Sequence, residues 1–211
     1  MKVKPMIAFI GTDGSGKSTV IDAVTPKILD MGFEGVHYEH LRPHWLQPLG
    51  VLLGKREKDD DALVVDPHGE KPSGFMGSSI RLLYYYIDYT LGYYSKICPL
   101  MKSGKVLCLF DRYFYDVVID PRRLRIKLPQ FFIRGLFKFA PRPTIVICLG
   151  GDPKILYERK PETSLEEVTR QVGELKSLVE KQSGAYWVRT DQSLQQTIVD
   201  TMLIISKLKA N

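Results

Sequence analysis

The chain has 211 residues, 44% of them hydrophobic, and its 30 Lys and Arg outnumber 24 Asp and Glu for a formal net charge of +6. That length supports one α/β domain with a full core, and the hydrophobic share excludes a disordered chain. No apolar run approaches the roughly 20 residues that a bilayer span needs. The basic balance fits a nucleic acid, an anionic surface or a polyphosphate ligand. No nucleic-acid recognition module is visible, so a small anionic ligand is expected, without nucleic acid and without a membrane. Met1-Lys2-Val3-Lys4-Pro5 passes straight into the first apolar run, so no signal peptide is expected. Cys98, Cys108 and Cys148 are odd in number and lack C-x-x-C spacing, which reads as reduced thiols in a cytoplasmic protein, without a metal.

In chain order, residues 6–10 are a continuous apolar run expected to form a strand buried on both faces. A glycine-rich turn follows, then helical spacing over residues 18–30, closed by Gly32. Pro26 falls inside that helix, predicting a kink or an early end near Thr25 and a short second helical piece. A second strand is expected at 35–39, running into His40-Leu41-Arg42-Pro43. Residues 55–75 carry charges, prolines and glycines and read as a solvated insertion. Residues 78–101 turn helical and rich in tyrosine; one side should enter the core and another line a cleft, with Tyr86 a candidate for the cleft.

The third strand is expected at 106–110, followed at once by Asp111-Arg112-Tyr113. A helical region to about 140 is broken near Asp120-Pro121 and at Pro129. A fourth strand spans 144–149, and a helix from Ile155 is interrupted by Pro161. Ser164 with Glu167 forms a capping box that opens a helix to about 182. A fifth strand at 185–189 and a last helix at 194–208 complete the series. Strands alternating with helices imply a parallel sheet covered on both sides, with ligands at the carboxyl ends of its strands. Neither an internal repeat nor a second domain is visible, so residues 1–211 read as one domain.

The turn after the first strand, Gly11-Thr12-Asp13-Gly14-Ser15-Gly16-Lys17-Ser18-Thr19, matches the phosphate-binding loop G-x-x-x-x-G-K-[ST] at every fixed position. Its glycines allow close approach to a ligand, and its amides face inward at the positive end of a helix dipole. Lys17 would reach the β- and γ-phosphates, and Ser18 would take a place on Mg²⁺. The expected ligands are therefore ATP and Mg²⁺. Asp111, at a neighbouring strand tip, is the second magnesium candidate, and Arg112 is a cation suited to a phosphoryl group. Asp13, Arg42 and Asp111-Arg112 are all expected at one sheet edge. Arg159, in Glu158-Arg159-Lys160 before the Pro161 break, could close over a triphosphate.

In order and spacing, G-T-D-G-S-G-K-S-T, F-D-R-Y after the third strand and E-R-K after the fourth resemble the thymidylate kinase family over nearly the whole chain. The resemblance implies a three-layer α/β/α P-loop NTPase fold, a five-stranded parallel sheet in the order 2-3-1-4-5, a lid at about 156–167 and often a homodimer. It also implies ATP- and Mg²⁺-dependent phosphoryl transfer to a nucleoside monophosphate, with dTMP the leading small-molecule acceptor. Lys17, Asp111, Arg112 and Arg159 would serve the transfer. By the same match Asp13, Arg42 and Arg112 would face the acceptor, Arg42 gripping its phosphate; Tyr86, Tyr113, Arg122 and Arg123 are further acceptor-side candidates on this chain's own residues.

Three departures stand out, one of them the charged insertion near residues 55–74. Where the family carries a base-reading arginine on the long helix, this chain has Ile87-Asp88-Tyr89-Thr90, and past D-R-Y it has Tyr115-Asp116 and Asp120-Pro121-Arg122-Arg123. With L-R-P-H and D-P-H-G, these look like a divergent subgroup that often accompanies polysaccharide genes.

Three other readings stay open. One is a kinase of the same fold acting on a sugar, glycan or other non-thymidine acceptor. Another is a nucleotide-dependent switch without turnover; the only asparagine is Asn211, so the guanine-reading N-K-x-D motif is absent. The third is attachment to a membrane surface through residues 131–139, for which core packing is the favoured explanation.

Overall fold

The computed structural model describes residues 4–52 and 73–208. In chain order the elements are β1 (Met6–Gly11), α1 (Lys17–Asp30), β2 (Gly35–His40), the short α2 (Leu49–Leu52) and α3 (Phe75–Gly92). A π-helical turn (Tyr93–Ile97) and α4 (Cys98–Met101) continue α3, before β3 (Val106–Asp111), α5 (Phe114–Ile119) and a 3₁₀ turn (Pro121–Leu124). Then come α6 (Gln130–Phe137), β4 (Ile145–Gly150), α7 (Pro153–Arg159), α8 (Leu165–Lys181), β5 (Ala185–Arg189) and α9 (Leu194–Ser206). Most of the expected 55–75 insertion lies outside the described residues. Among the described residues, no helix is long and apolar enough to cross a membrane.

The chain's contacts gather into two compact units. The first comprises Met1–Leu41, Leu100–Tyr113 and Arg142–Asn211. It holds a five-stranded, all-parallel sheet in the order β2-β3-β1-β4-β5. β1 sits in the middle because all six of its residues are buried and both its edges are paired, with β3 on one side and β4 on the other. Alternation sorts the strands' side chains by face. Ile7, Phe9, Leu107, Leu109, Ile147 and Val188 meet Val20, Val24 and Ile28 of α1 and Ile198 and Ile205 of α9. On the opposite face Trp187 packs with Leu156 of α7 and Val168 and Val172 of α8. Helices thus cover the sheet on both sides, the fold that the alternating sequence implies.

Helix α1 departs from expectation. It runs unbroken from Lys17 to Asp30 with Pro26 inside it. The reason is where the proline points. Val20, Ile21, Val24 and Ile28 anchor the helix against the sheet, while Pro26 lies on the exposed side, where the carbonyl deprived of its partner can turn to water. The Thr25 hydroxyl donates to the Ile21 carbonyl at 2.7 Å and supports the same turn.

The second unit comprises Arg42–Pro99 and Phe114–Pro141. Its centre is aromatic: Tyr89 of α3 meets Phe114 of α5 and Phe137 of α6 edge-on, and the two phenylalanine rings stack at 5.3 Å. The Ser78 hydroxyl ties α3 to the chain ahead of α6 by accepting from the Lys127 amide at 2.9 Å. α3 begins three residues before its expected start and is interrupted by the π turn.

Because Pro26 forfeits a helical hydrogen bond on an exposed face, Pro26→Ala should raise stability by about 1–2 kcal/mol. That is less than the ~3 kcal/mol of a typical interior proline, since alanine also frees the unfolded chain. Thermal unfolding would check it: a higher Tm is expected, and an unchanged or lower one would contradict the account of α1.

Candidate functional site

The loop between β1 and α1 is shaped by three glycines with different constraints. A Cβ on Gly11 would lie 2.6 Å from both the Leu149 carbonyl and the Ser15 hydroxyl, because the loop leaves β1 flush against β4. Gly14 has φ +76° and would put a Cβ 2.3 Å from the Leu156 carbonyl, so the loop is seated on the C-terminal half of α7. Gly16, at φ +74°, is the N-cap of α1, with no side chain capping the helix. First-turn amides without a side-chain cap are donors of the kind that water or an anion satisfies.

Lys17 is buried and its ammonium folds over the loop, donating to the carbonyls of Gly11 at 2.7 Å and Thr12 at 2.9 Å. Ser18 and Thr19 are exposed on the first turn of α1, and Ser15 is buried inside the loop. The buried Thr12 hydroxyl lacks a hydrogen-bond partner.

The parallel pairing of β1 with β3 sets Phe9 opposite Asp111, which brings the D-R-Y segment beside the loop. Arg112 adopts φ +71°, a left-handed conformation that strains any residue with a Cβ. Its amide donates to the Phe9 carbonyl at 2.9 Å, and its guanidinium donates to Asp13 Oδ1 at 2.8 Å and to the Gly11 carbonyl at 3.5 Å. Asp13 and Arg112, two residues singled out separately from the sequence, are therefore one ion pair, both side chains largely buried.

Asp111 is buried. Its Oδ2 accepts from the Tyr38 hydroxyl at 3.3 Å, while its Oδ1 has no hydrogen-bond partner. A buried carboxylate oxygen left over in this way suits a cation or its bound water. Tyr38 is the residue that sequence reasoning missed. Burial first, and the neighbouring Asp111 charge next, push its phenol up to about 12, so it remains a donor through the neutral range. Its only signal was the pairing of β2 with β3, which a single sequence does not display.

Arg159, on the last turn of α7, donates from Nη1 to the Thr190 carbonyl at 2.8 Å, just past β5. The chain after it bends through Lys160, whose ammonium pairs with Glu162 at 3.0 Å. The stretch expected as a lid, 156–167, takes in the end of α7, the short connection after it and the start of α8, which Ser164 caps by accepting from the Glu167 amide.

Arg42 belongs to the second unit. It is buried, and its Nη1 donates to the Leu46 carbonyl at 2.9 Å and to Asp88 Oδ2 at 3.1 Å. Asp88 is 0% exposed and spends its other oxygen on the Leu46 amide at 2.5 Å. The guanidinium lies 5.5 Å from the centre of the Tyr84 ring, whose hydroxyl donates to the Gln47 carbonyl. Burial pushes the Tyr84 phenol up to about 12, against the opposing pull of Arg42. Asp88 occupies the stretch where the resemblance leads one to look for an arginine.

The other expected acceptor residues are scattered in character. Tyr86 is half-buried, its ring edge-on to Phe137. Arg122 is exposed, and Arg123 pairs with Asp120 at 3.5 Å. Tyr113 has no exposed surface and packs its ring on Phe110 of the first unit at 4.9 Å.

No protein-family model matches the chain. Among solved structures, the chain is similar to a thymidylate kinase from Ehrlichia chaffeensis with a TM-score of 0.59. The sequences are 16% identical, and the match covers 95% of this chain and 97% of that one. At that identity the likeness shows a thymidylate kinase-like fold.

The seating of the loop on α7 has a direct test. Gly14→Ala combines a 2.3 Å approach to the Leu156 carbonyl with a left-handed backbone, so it should cost about 1–3 kcal/mol. A thermal melt should fall by several degrees; an unchanged Tm would mean that the loop does not rest there.

Proposed function

We propose that the chain transfers the γ-phosphoryl group of ATP to a nucleoside monophosphate, with dTMP the leading acceptor. The observation that carries this reading is the cluster at two adjacent strand tips. There, a complete phosphate-binding loop stands beside a buried carboxylate with a free oxygen and an arginine locked to the loop's own aspartate. A loop alone would suit any nucleotide binder. Adding Asp111 and Arg112 supplies what phosphoryl transfer needs, which is positioning and charge stabilisation.

In this reading Lys17 exchanges the Gly11 and Thr12 carbonyls for β- and γ-phosphate oxygens. Arg112 carries its fixed positive charge to the transferring group, and Asp13 holds that guanidinium in its strained pose. Asp13 also faces the acceptor's hydroxyls. Ser18 and Asp111 would hold Mg²⁺, consistent with a metal that is bound through few protein oxygens plus phosphates. Among the described residues no cluster of three or more His, Cys, Asp or Glu competes for a metal. When bound, Mg²⁺ neutralises phosphate charge. Arg159 would bring a further cation to the triphosphate from the last turn of α7.

Arg42 is proposed to grip the acceptor phosphate. Its Nη1 is committed to Leu46 and Asp88, so a two-pronged contact would come from Nη2 and Nε. The same cluster favours a second reading. A buried carboxylate rather than an arginine occupies the base-reading stretch, which suits a sugar or other non-thymidine acceptor.

Purified protein with ATP and Mg²⁺, challenged with a panel of monophosphates and sugars, should release ADP most strongly with dTMP. Stimulation by sugars alone would favour the second reading, and no stimulation by any monophosphate would remove the first. Lys17→Ala should abolish turnover.

Arg42→Ala should raise the acceptor KM at least tenfold and, by stranding a buried carboxylate, lower stability by about 3–5 kcal/mol. Adding Asp88→Ala should restore much of the Tm but not the KM. Recovery of both together would show Arg42 to be structural only.

A further inference from the structure

The second unit carries a surface that the proposed reaction does not use. Residues 131–139 divide sharply: Ile133 and Phe137 enter the core, whereas Phe131 is 67% and Phe139 74% exposed. Core packing, the expectation from sequence, holds for the first pair and fails for the second. Along α3, Met76 (77% exposed), Ile80 and Leu83 recur at helical spacing on the outside. Between α3 and α6 lies a groove of about 460 Å³, lined by Phe75, Leu82, Leu128, Phe131, Phe132 and Leu136 among others, with Ser79 its one hydroxyl side chain.

The exposed charge on this unit's described residues is one-sided. Among its described residues the three carboxylates, Asp88, Asp116 and Asp120, are all buried. Arg122, Lys127, Arg134 and Lys138 are exposed. The described exterior therefore offers cations and large apolar side chains and no acid. On α6 and just past its end the two are interleaved: Arg134 and Lys138 stand among Phe131, Phe132 and Phe139.

We infer that this face of α3 and α6 docks on an anionic phospholipid bilayer. The exposed phenylalanines and Met76 enter the acyl boundary while the arginines and lysines meet the headgroups. A nucleic acid would satisfy the cations, but it would leave the aliphatic stripe of α3 and the nearly hydroxyl-free groove without a matching partner. An acyl phase meets both. The inference stands apart from the phosphoryl-transfer reading, since none of these apolar residues belongs to the proposed reaction.

Co-sedimentation of the full chain with vesicles of phosphatidylcholine alone, and of phosphatidylcholine mixed with phosphatidylglycerol, tests it. Binding to the mixed vesicles should exceed binding to the neutral ones at least tenfold and weaken with salt. Phe131→Ser with Phe139→Ser should reduce it a further tenfold or more. Arg134→Gln with Lys138→Gln should reduce it about thirtyfold, from the ~1 kcal/mol expected of each surface cation. ADP release should be unchanged in both pairs.

The charge pair stands in should the phenylalanine pair lower the Tm. Absence of binding to mixed vesicles, or binding indifferent to both pairs, overturns the inference. So does self-association, or nucleic-acid binding in place of vesicle binding, that the same variants abolish.

Discussion

The ion pair between Asp13 and Arg112 is the constraint on which the candidate site depends. It joins the phosphate-binding loop to the tip of β3 at 2.8 Å, in surroundings where both side chains are largely withdrawn from water. Arg112 reaches it only by adopting a left-handed backbone, a conformation that costs on the order of 1–2 kcal/mol for a residue with a Cβ. Strain of this kind persists where neighbours over-determine it. Here the Phe9 and Gly11 carbonyls and the Asp13 carboxylate do so together. A cation is thereby fixed against the loop, as the proposed charge stabilisation requires.

The sheet makes that pair possible. β1 and β3 are neighbours although a helix, a strand and the second unit's first segment separate them in sequence. The crossover puts Asp111, the last residue of β3, level with Phe9, two residues before β1 ends at Gly11, so Arg112 follows beside the last residues of β1 and the loop. The apolar runs that bury β1, β3 and β4 on both faces place these three strands in the middle of the sheet. Gly11 and Gly14 then permit the loop to lie against Leu149 and Leu156 without a Cβ between them.

Much of this was legible in the sequence, for identifiable reasons. Continuous apolar runs marked the strands, and the Ser164 capping box marked the start of α8 to the residue. The loop residues announced themselves by spacing. What stayed hidden depends on pairing between distant segments. Tyr38 holds Asp111 only because β2 and β3 run side by side, and Asp88 holds Arg42 only because α3 folds back on residues 42–46. Pro26 misled because propensity weighs one hydrogen bond against nothing, whereas the folded helix weighs it against four buried aliphatic anchors. The division into two units left no trace in composition, since each is stitched from separate stretches.

The central claim is that the γ-phosphoryl group goes to an acceptor and not to water. Phosphorus NMR of the protein with ATP, Mg²⁺ and dTMP follows that atom directly. Loss of the ATP γ-signal should be matched by the growth of a new nucleoside diphosphate, with little inorganic phosphate. Growth of inorganic phosphate alone, or no change in the γ-signal, would contradict the account.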